Sequence, residues 1–138
     1  MNSKQVVLSL IKTNYHINSK LMSVLKPHGV SIQQFNVLRI LRGQKGVAAN
    51  LSTVQERMVN KMSNTTRLID KLIEKALVER IICKENRRKI ELYITDKGLS
   101  FLDLIDPVID QAEEKIVGHL KPSEKEKIVI LLKQLKFN

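Results

Sequence analysis

The sequence predicts a mainly α-helical fold that carries one small antiparallel β-hairpin. Three observations predict it. Apolar residues recur at helical spacing through most of the chain, whereas alternation with a period of two is confined to Val78, Arg80, Ile82 and Ile90, Leu92, Ile94. The chain has no Trp and only 4% aromatic residues, so Leu, Ile and Val must build the core, as in helices packed through aliphatic ridges. With 138 residues, it is long enough for one domain with its own core.

The elements follow in order. A first helix is expected over about residues 3–26, with Leu10, Ile17, Leu21, Val24 and Leu25 on its apolar side, and Pro27-His28-Gly29 ends it. A second begins at VSIQQFNVLRIL, where Ser31 and Gln34 form a capping box and Val30 staples onto Phe35; it stops at Gly43-Gln44-Lys45-Gly46. A third starts near Ser52 and holds Val54, Met58 and Val59. After a turn at Asn60-Lys61, a fourth helix reaches about Ala76, with Met62, Thr65, Leu68, Ile69, Leu72 and Leu77 as its apolar stripe. The two alternating runs then form the hairpin. Thr95 caps a fifth helix, which holds Phe101, Leu102, Ile105, Val108, Ile109 and Ile116 and which Pro107 should bend or split near Ile105. The last helix opens at Ser123, with Glu126 closing a second capping box, and continues as IVILLKQL. This order describes a winged helix–turn–helix flanked by long amphipathic helices.

Charge narrows the function. The net charge is +10, and it is unevenly spread. Residues 1–55 hold seven Lys/Arg and no Asp/Glu, residues 56–98 eleven and seven, and residues 99–138 six and seven. Such a distribution points to a polyanionic partner, nucleic acid foremost, with solubility alone as the plainer alternative. Cys83 is the single cysteine, which excludes an intrachain disulfide framework and a thiol metal site. His16, His28 and His119 are far apart and no metal site is expected. GxSxG, P-loop and GxGxxG patterns are absent, so neither an enzyme activity nor a cofactor is expected. No apolar run nears the ~18 residues of a membrane span, and VVLSLI is short and followed by Lys12, which suits a cytoplasmic chain without a membrane segment or signal peptide.

Two groups of residues could meet nucleic acid. Opposite the apolar stripe of the fourth helix lie Asn60, Ser63, Asn64, Arg67 and Lys71. Short hydrogen-bonding groups can reach base edges or phosphates, Arg can clamp guanine by two bonds, and Lys neutralises phosphate. At the hairpin tip stand Arg87, Arg88 and Lys89, where a wing reaches the negative potential of a narrow minor groove. Each group alone reads equally as a solvated polar surface.

The run SNTTRLIDKLIEKALVERIICKENRRKIELYITDKG, residues 63–98, closely resembles the MarR family of bacterial transcription regulators. The shared pattern is T-R-L-[IV]-D-[KR]-L, then L-V-E-R, a basic-tipped wing, and L-x-[LI]-T-x-x-G. The resemblance implies one unit over 1–138, with a DNA-binding lobe at 30–98 and dimerisation helices at 1–29 and 99–138 that interleave in a homodimer. It implies that the fourth helix enters a major groove through Ser63, Asn64, Thr66, Arg67 and Lys71, and that Arg87 and Arg88 are the wing arginines. The implied partner is a double-stranded, pseudo-palindromic DNA operator, bound by a repressor whose affinity a small-molecule effector modulates. An effector pocket would lie between the dimer helices and the winged helix, with Tyr15, His16, Phe35 and Arg39 as candidate lining residues that equally suit ordinary packing. The apolar ends support dimerisation independently, because residues 99–136 carry more apolar side chains than one winged helix can cover. Cys83 sits on a hairpin strand and reads as a small apolar residue rather than a sensor thiol. Asn86 stands where the family has Asp, which predicts a looser wing, and Ala76 stands where it has Gly, which predicts no positive φ there. An architectural DNA-binding protein and a protein–protein adaptor on the same scaffold stay open as alternatives.

Overall fold

The computed structural model describes residues 1–86 and 88–138. The elements are α1 (Ser3–Leu25), a 3-10 turn (Lys26–His28), α2 (Ile32–Gly43), α3 (Leu51–Arg57), α4 (Thr65–Glu74), β1 (Val78–Ile82), β2 (Ile90–Ile94), α5 (Asp96–Val117) and α6 (Pro122–Lys133). The fold is thus mainly α with a two-stranded wing. Caps explain most of the boundaries. Asn2 accepts from the Gln5 N–H, and Ser31 Oγ accepts from the Gln34 N–H while the Gln34 side chain accepts from the Ser31 N–H. Gly29, at φ 76°, turns the chain between the 3-10 turn and α2.

The core is a single aliphatic cluster in which Leu25, Leu38, Leu41, Val54, Leu72 and Leu102 meet. Val30 and Phe35 are both buried in it, as the expected staple requires. α1 lies along α5, while α2 contacts α3, α4 and β2. β1 and β2 pair antiparallel, with Val78 opposite Ile94, Arg80 opposite Leu92 and Ile82 opposite Ile90. Leu92 also exchanges two backbone hydrogen bonds with Ala49, at 3.1 and 2.7 Å, so the segment before α3 acts as a one-residue third strand.

The end of α4 differs from expectation. Ala76 adopts φ 60°. Its N–H bonds the Ile73 carbonyl at 2.9 Å, and the Leu77 N–H reaches back to the Leu72 carbonyl at 3.0 Å. This is the Schellman pattern, in which the left-handed residue closes the helix and two buried apolar side chains, here Leu72 and Leu77, meet across it. The two hydrogen bonds and that contact outweigh the penalty of an Ala in the left-handed region. Thr95 then docks the wing's return on the same spot. Its Oγ1 donates to the Ala76 carbonyl at 2.7 Å and accepts from the Gly98 N–H at 3.0 Å, and its N–H bonds the Leu77 carbonyl at 3.1 Å. A Cβ on Gly98 would stand 2.4 Å from the Leu77 carbonyl oxygen, which explains why Gly occupies this position.

Three further expectations are corrected. Of the two outcomes expected at Pro107, a bend or a split, the split is absent: α5 runs unbroken from Asp96 to Val117, and the ring is exposed, so the cost of the missing N–H falls on the solvent side. α6 starts at Pro122 rather than Ser123, and its cap is Glu124, whose carboxylate accepts from the Lys121 N–H at 2.9 Å; Glu126 does not close a box. Proline at the first helical position has no N–H to leave unsatisfied, which moves the start forward. Met58 and Val59 lie beyond α3, and α4 begins only at Thr65.

Ala76→Gly should stabilise the chain by about 1 kcal/mol, since Gly carries no Cβ penalty at that φ, with a rise of about 4 °C in the thermal midpoint. Gly98→Ala should lose about 2 kcal/mol through overpacking against backbone, read in the same melting experiment.

Candidate nucleic-acid interface

The connection between α3 and α4 is held by its own polar side chains. Gln55, on α3, donates through Nε2 to the Lys61 carbonyl at 2.9 Å, and its Oε1 accepts from the buried Thr65 hydroxyl. Asn36, on α2, accepts from the Val59 N–H at 2.9 Å. Asn60 Oδ1 accepts from the Met62 N–H at 3.0 Å and the Asn60 carbonyl from the Ser63 N–H at 3.2 Å, which makes residues 60–63 a tight Asx-type turn. Asn64 caps α4, its Oδ1 accepting from the Arg67 N–H at 3.1 Å. Together these bonds fix the start of α4 against α2 and α3.

The outward face of α4 presents Thr66, Arg67 and Lys71, all exposed, at helical spacing. Asp70 and Glu74 share that face, a mixture the sequence pattern of basic residues obscured. Arg80 on β1 approaches Asp70 at 3.6 Å, so the wing offsets one of the two negative charges. Both partners are about half exposed, which makes this a local charge balance rather than a source of stability. Asn60 and Asn64 lie at the same edge, but their side-chain oxygens serve the backbone and leave their amide N–H groups for an outside acceptor. Ser63 departs from expectation. Its Oγ is buried and has no hydrogen-bond partner, so the hydroxyl is turned away from the displayed face. Met62 departs in the other direction. It was assigned to the apolar stripe yet is 93% exposed, whereas Thr65 is buried at 3%. The helical period does not extend back through a turn, so residues 60–63 follow the turn and not the helix.

At the wing tip, Arg88 and Lys89 are exposed, and Arg87 lies outside the described residues. Asn86 organises the tip: its Oδ1 accepts from the Arg88 N–H at 3.1 Å, and its carbonyl accepts from the Lys89 N–H at 2.9 Å. The Lys89 carbonyl accepts from the Cys83 N–H at 3.0 Å. Asn86 thus closes an Asx turn through its side-chain oxygen, a bond that an Asp carboxylate would also accept. On β2, Tyr93 donates to Glu91 at 2.9 Å, and this hydrogen bond, then desolvation and the nearby Glu91 and Glu79 charges, raises its phenol above the ordinary range.

A cleft of about 810 Å³ opens between α1, α2, α5 and the α3–α4 connection. Its wall includes Phe35, Asn36, Arg39, Lys61 and Glu113, and the Arg39 guanidinium lies over the Phe35 ring at 5.5 Å. Tyr15 and His16 do not line it. They meet edge to face at 5.6 Å on α1, and Tyr15 is exposed. Of the four candidate lining residues, the fold brings together two. Gln55 and Asn36 were not singled out by sequence, because a polar residue on a short helix has no periodic signature. Among the described residues, no cluster of three or more His, Cys, Asp or Glu could hold a metal ion, and no helix is long and apolar enough to cross a membrane.

Similar proteins place this geometry in context. The sequence profile of the MarR family matches residues 30–90. The Bacillus subtilis HTH-type transcriptional regulator YkoM is 30% identical over 111 residues, covering 79% of this chain and 70% of its own length. The crystal structure of a MarR transcription factor from Planctomyces limnophilus is 28% identical with a TM-score of 0.78, covering 98% of each chain. Bordetella bronchiseptica BpsR, whose DNA binding is regulated by 6-hydroxynicotinic acid, shares the fold at a TM-score of 0.82 and 23% identity, over 97% of this chain and 94% of its own.

Gln55→Ala leaves the Lys61 carbonyl and the Thr65 hydroxyl without their partner and should cost about 1–2 kcal/mol, measured as a lower urea midpoint at unchanged slope.

Proposed function

Since the chain belongs to the MarR family of DNA-binding transcriptional regulators, we propose that it is a homodimeric, sequence-specific repressor of a pseudo-palindromic double-stranded DNA operator. The observation that carries this reading is the exposed face of Thr66, Arg67 and Lys71 on an α4 whose start is clamped by Gln55 and Asn64. A face held this firmly loses little entropy on binding, and its groups match those that read bases and phosphates in a major groove. Arg88 and Lys89 would lie along the adjacent backbone or minor groove, with Arg87 beside them. Repression follows if the occupied operator overlaps the polymerase site.

Dimerisation is supported by α6. None of its residues is buried, and Ile128, Val129, Ile130, Leu131 and Leu132 are 43–51% exposed. Five consecutive apolar residues at about 100° each cover a full helical turn, so packing on one side cannot cover them. Val6, Val7, Leu8 and Ile11 on α1 and Leu104 on α5 are exposed as well. A second copy interleaving these helices buries the patch, and two-fold symmetry then sets the two α4 helices about 34 Å apart, one DNA turn.

The cleft is the proposed effector site. A ligand there touches Asn36, whose side chain holds the Val59 N–H, and so bears on the turn that precedes α4. Arg39 and Lys61 suit an anionic ligand, and 6-hydroxynicotinic acid, the regulator of BpsR, is the first probe.

Footprinting on the DNA upstream of its own gene should give a two-fold symmetric protected site. Affinity for that site equal to affinity for random DNA at one salt concentration would replace the repressor by an architectural protein. Arg67→Ala should cost about 1–3 kcal/mol and relax preference at one base step, and Arg88→Ala should lower the salt slope by about one. Leu131→Asp should shift the sedimenting species from dimer to monomer and weaken operator binding with it.

A further inference from the structure

We propose that Met62 reads a base: its side chain packs against the C5-methyl of a thymine in the major groove and makes each half-site favour thymine at that step. The inference rests on the DNA-binding reading of α4 and adds a residue to it. At 93% exposure, Met62 is matched among large apolar side chains only by Met1, Phe137 and Val59, the first two being at or near the chain ends. Internal packing of the fold makes no use of it.

The exposure is built rather than incidental. The Met62 N–H is held by Asn60 Oδ1 at 3.0 Å, the next N–H by the Asn60 carbonyl at 3.2 Å, and the preceding carbonyl by Gln55 Nε2 at 2.9 Å. Three hydrogen bonds thus fix the backbone on both sides of a side chain that meets nothing in its own chain. Neither of the other surfaces accounts for it. The apolar faces left for a second copy lie on α1, α5 and α6, and the cleft is lined by Val59, Asn60 and Lys61 but not by Met62. Met62 stands two residues before the cap of α4, beside Lys61 and at the helix end that carries Thr66 and Arg67. Lys61 and Arg67 are cations that draw a phosphate backbone to that edge.

The chemistry then selects the base. Thymine alone among the four bases presents an apolar group in the major groove. A thioether side chain is flexible and polarisable enough to cover a methyl without demanding one geometry. Ser63 Oγ is turned inward and the Asn60 and Asn64 oxygens are engaged, so this edge offers few acceptors and an apolar contact adds discrimination to that of the remaining donors.

Deoxyuridine removes the methyl and nothing else. Duplex sites are selected from a random pool by the wild-type protein, and each thymine of one half-site is replaced singly by deoxyuridine. The Kd is measured at fixed salt for wild type, Met62→Ala and Met62→Leu. One thymine should be found whose replacement weakens the wild type about fourfold, the worth of one buried methyl. The same replacement should leave Met62→Ala unchanged and cost Met62→Leu nearly the wild-type penalty. A penalty equal in wild type and Met62→Ala, or no penalty at any thymine, overturns the assignment while the regulator reading stands. A pool that yields no enriched site overturns both.

Discussion

The winged helix depends on one stretch of backbone, the Ala76–Leu77 peptide. Here α4 ends, β1 begins, and the return from β2 into α5 is fastened. The Leu77 N–H closes α4 on the Leu72 carbonyl, while the Ala76 and Leu77 carbonyls accept the hydroxyl and the N–H of Thr95. Lys97 adds a bond from its ammonium to the Lys75 carbonyl at 3.0 Å, satisfying another helix-end acceptor. Gly98 is drawn so near that a Cβ would overlap the Leu77 oxygen. Four elements therefore share one point, and the direction of the wing relative to α4 is set by backbone hydrogen bonds more than by side-chain packing. The cost is a left-handed alanine, tolerated because the Schellman bonds and the Leu72–Leu77 contact arise from the same geometry.

From that junction the surface proposed to meet DNA follows. α4 is anchored at its C-terminus by the junction and at its N-terminus by Gln55 and Asn64, with the exposed residues between the two anchors. Among the described residues, Asp70 forms an ion pair from this surface to the wing, through Arg80. The Ala49–Leu92 bridge ties the wing's second strand back to the start of α3, so the helix–turn–helix and the hairpin cannot shift independently. The last third of the chain holds seven acidic and six basic residues and forms α5 and α6, away from this surface. Residues 30–98 hold fourteen Lys/Arg and seven Asp/Glu, so most of the excess positive charge belongs to the part of the fold that would face a polyanion, with a further four Lys on residues 1–29; such an arrangement steers encounter.

Where two local signals agreed, the sequence was legible. Ser31 with Gln34, Thr95 with Gly98, and the alternation of Val78–Ile82 and Ile90–Ile94 each combine a cap or turn with a period, and each appears in the structure. Legibility failed where a period was carried past its element. Thr65 is buried as its place in the stripe requires, whereas Met62 is exposed because Asn64, not an earlier residue, caps α4. Ala76 was misread because local propensity disfavours the conformation that tertiary bonding at Leu77 imposes. Ser123 and Glu126 offered a capping box, but Pro122 one residue earlier supplied a better start with Glu124 in reach. For the site, the basic residues were visible by type, while Gln55 and Asn36, which act only through long-range partners, were not.

The exposed α6 and the cleft bear on each other. α1 and α5 form one wall of the cleft and also carry part of the apolar surface left for a second copy, whereas α2 and the α3–α4 connection form the opposite wall and hold α4. In the proposed dimer, α1 and α5 would be held by the partner, so a ligand in the cleft would act on the opposite wall, which carries α4. Asn36 and Val59 lie on that wall, joined by the Val59 N–H bond, with Val59 directly before the turn at 60–63, so a displacement there would pass into the position of Met62 and the start of α4. In such a dimer, symmetry would double the change across two half-sites, so a small shift per subunit would become a mismatch with one DNA turn. A coupling of about 1–3 kcal/mol between ligand and DNA is the usual size of such an effect, and by reciprocity operator DNA must weaken the ligand by the same factor.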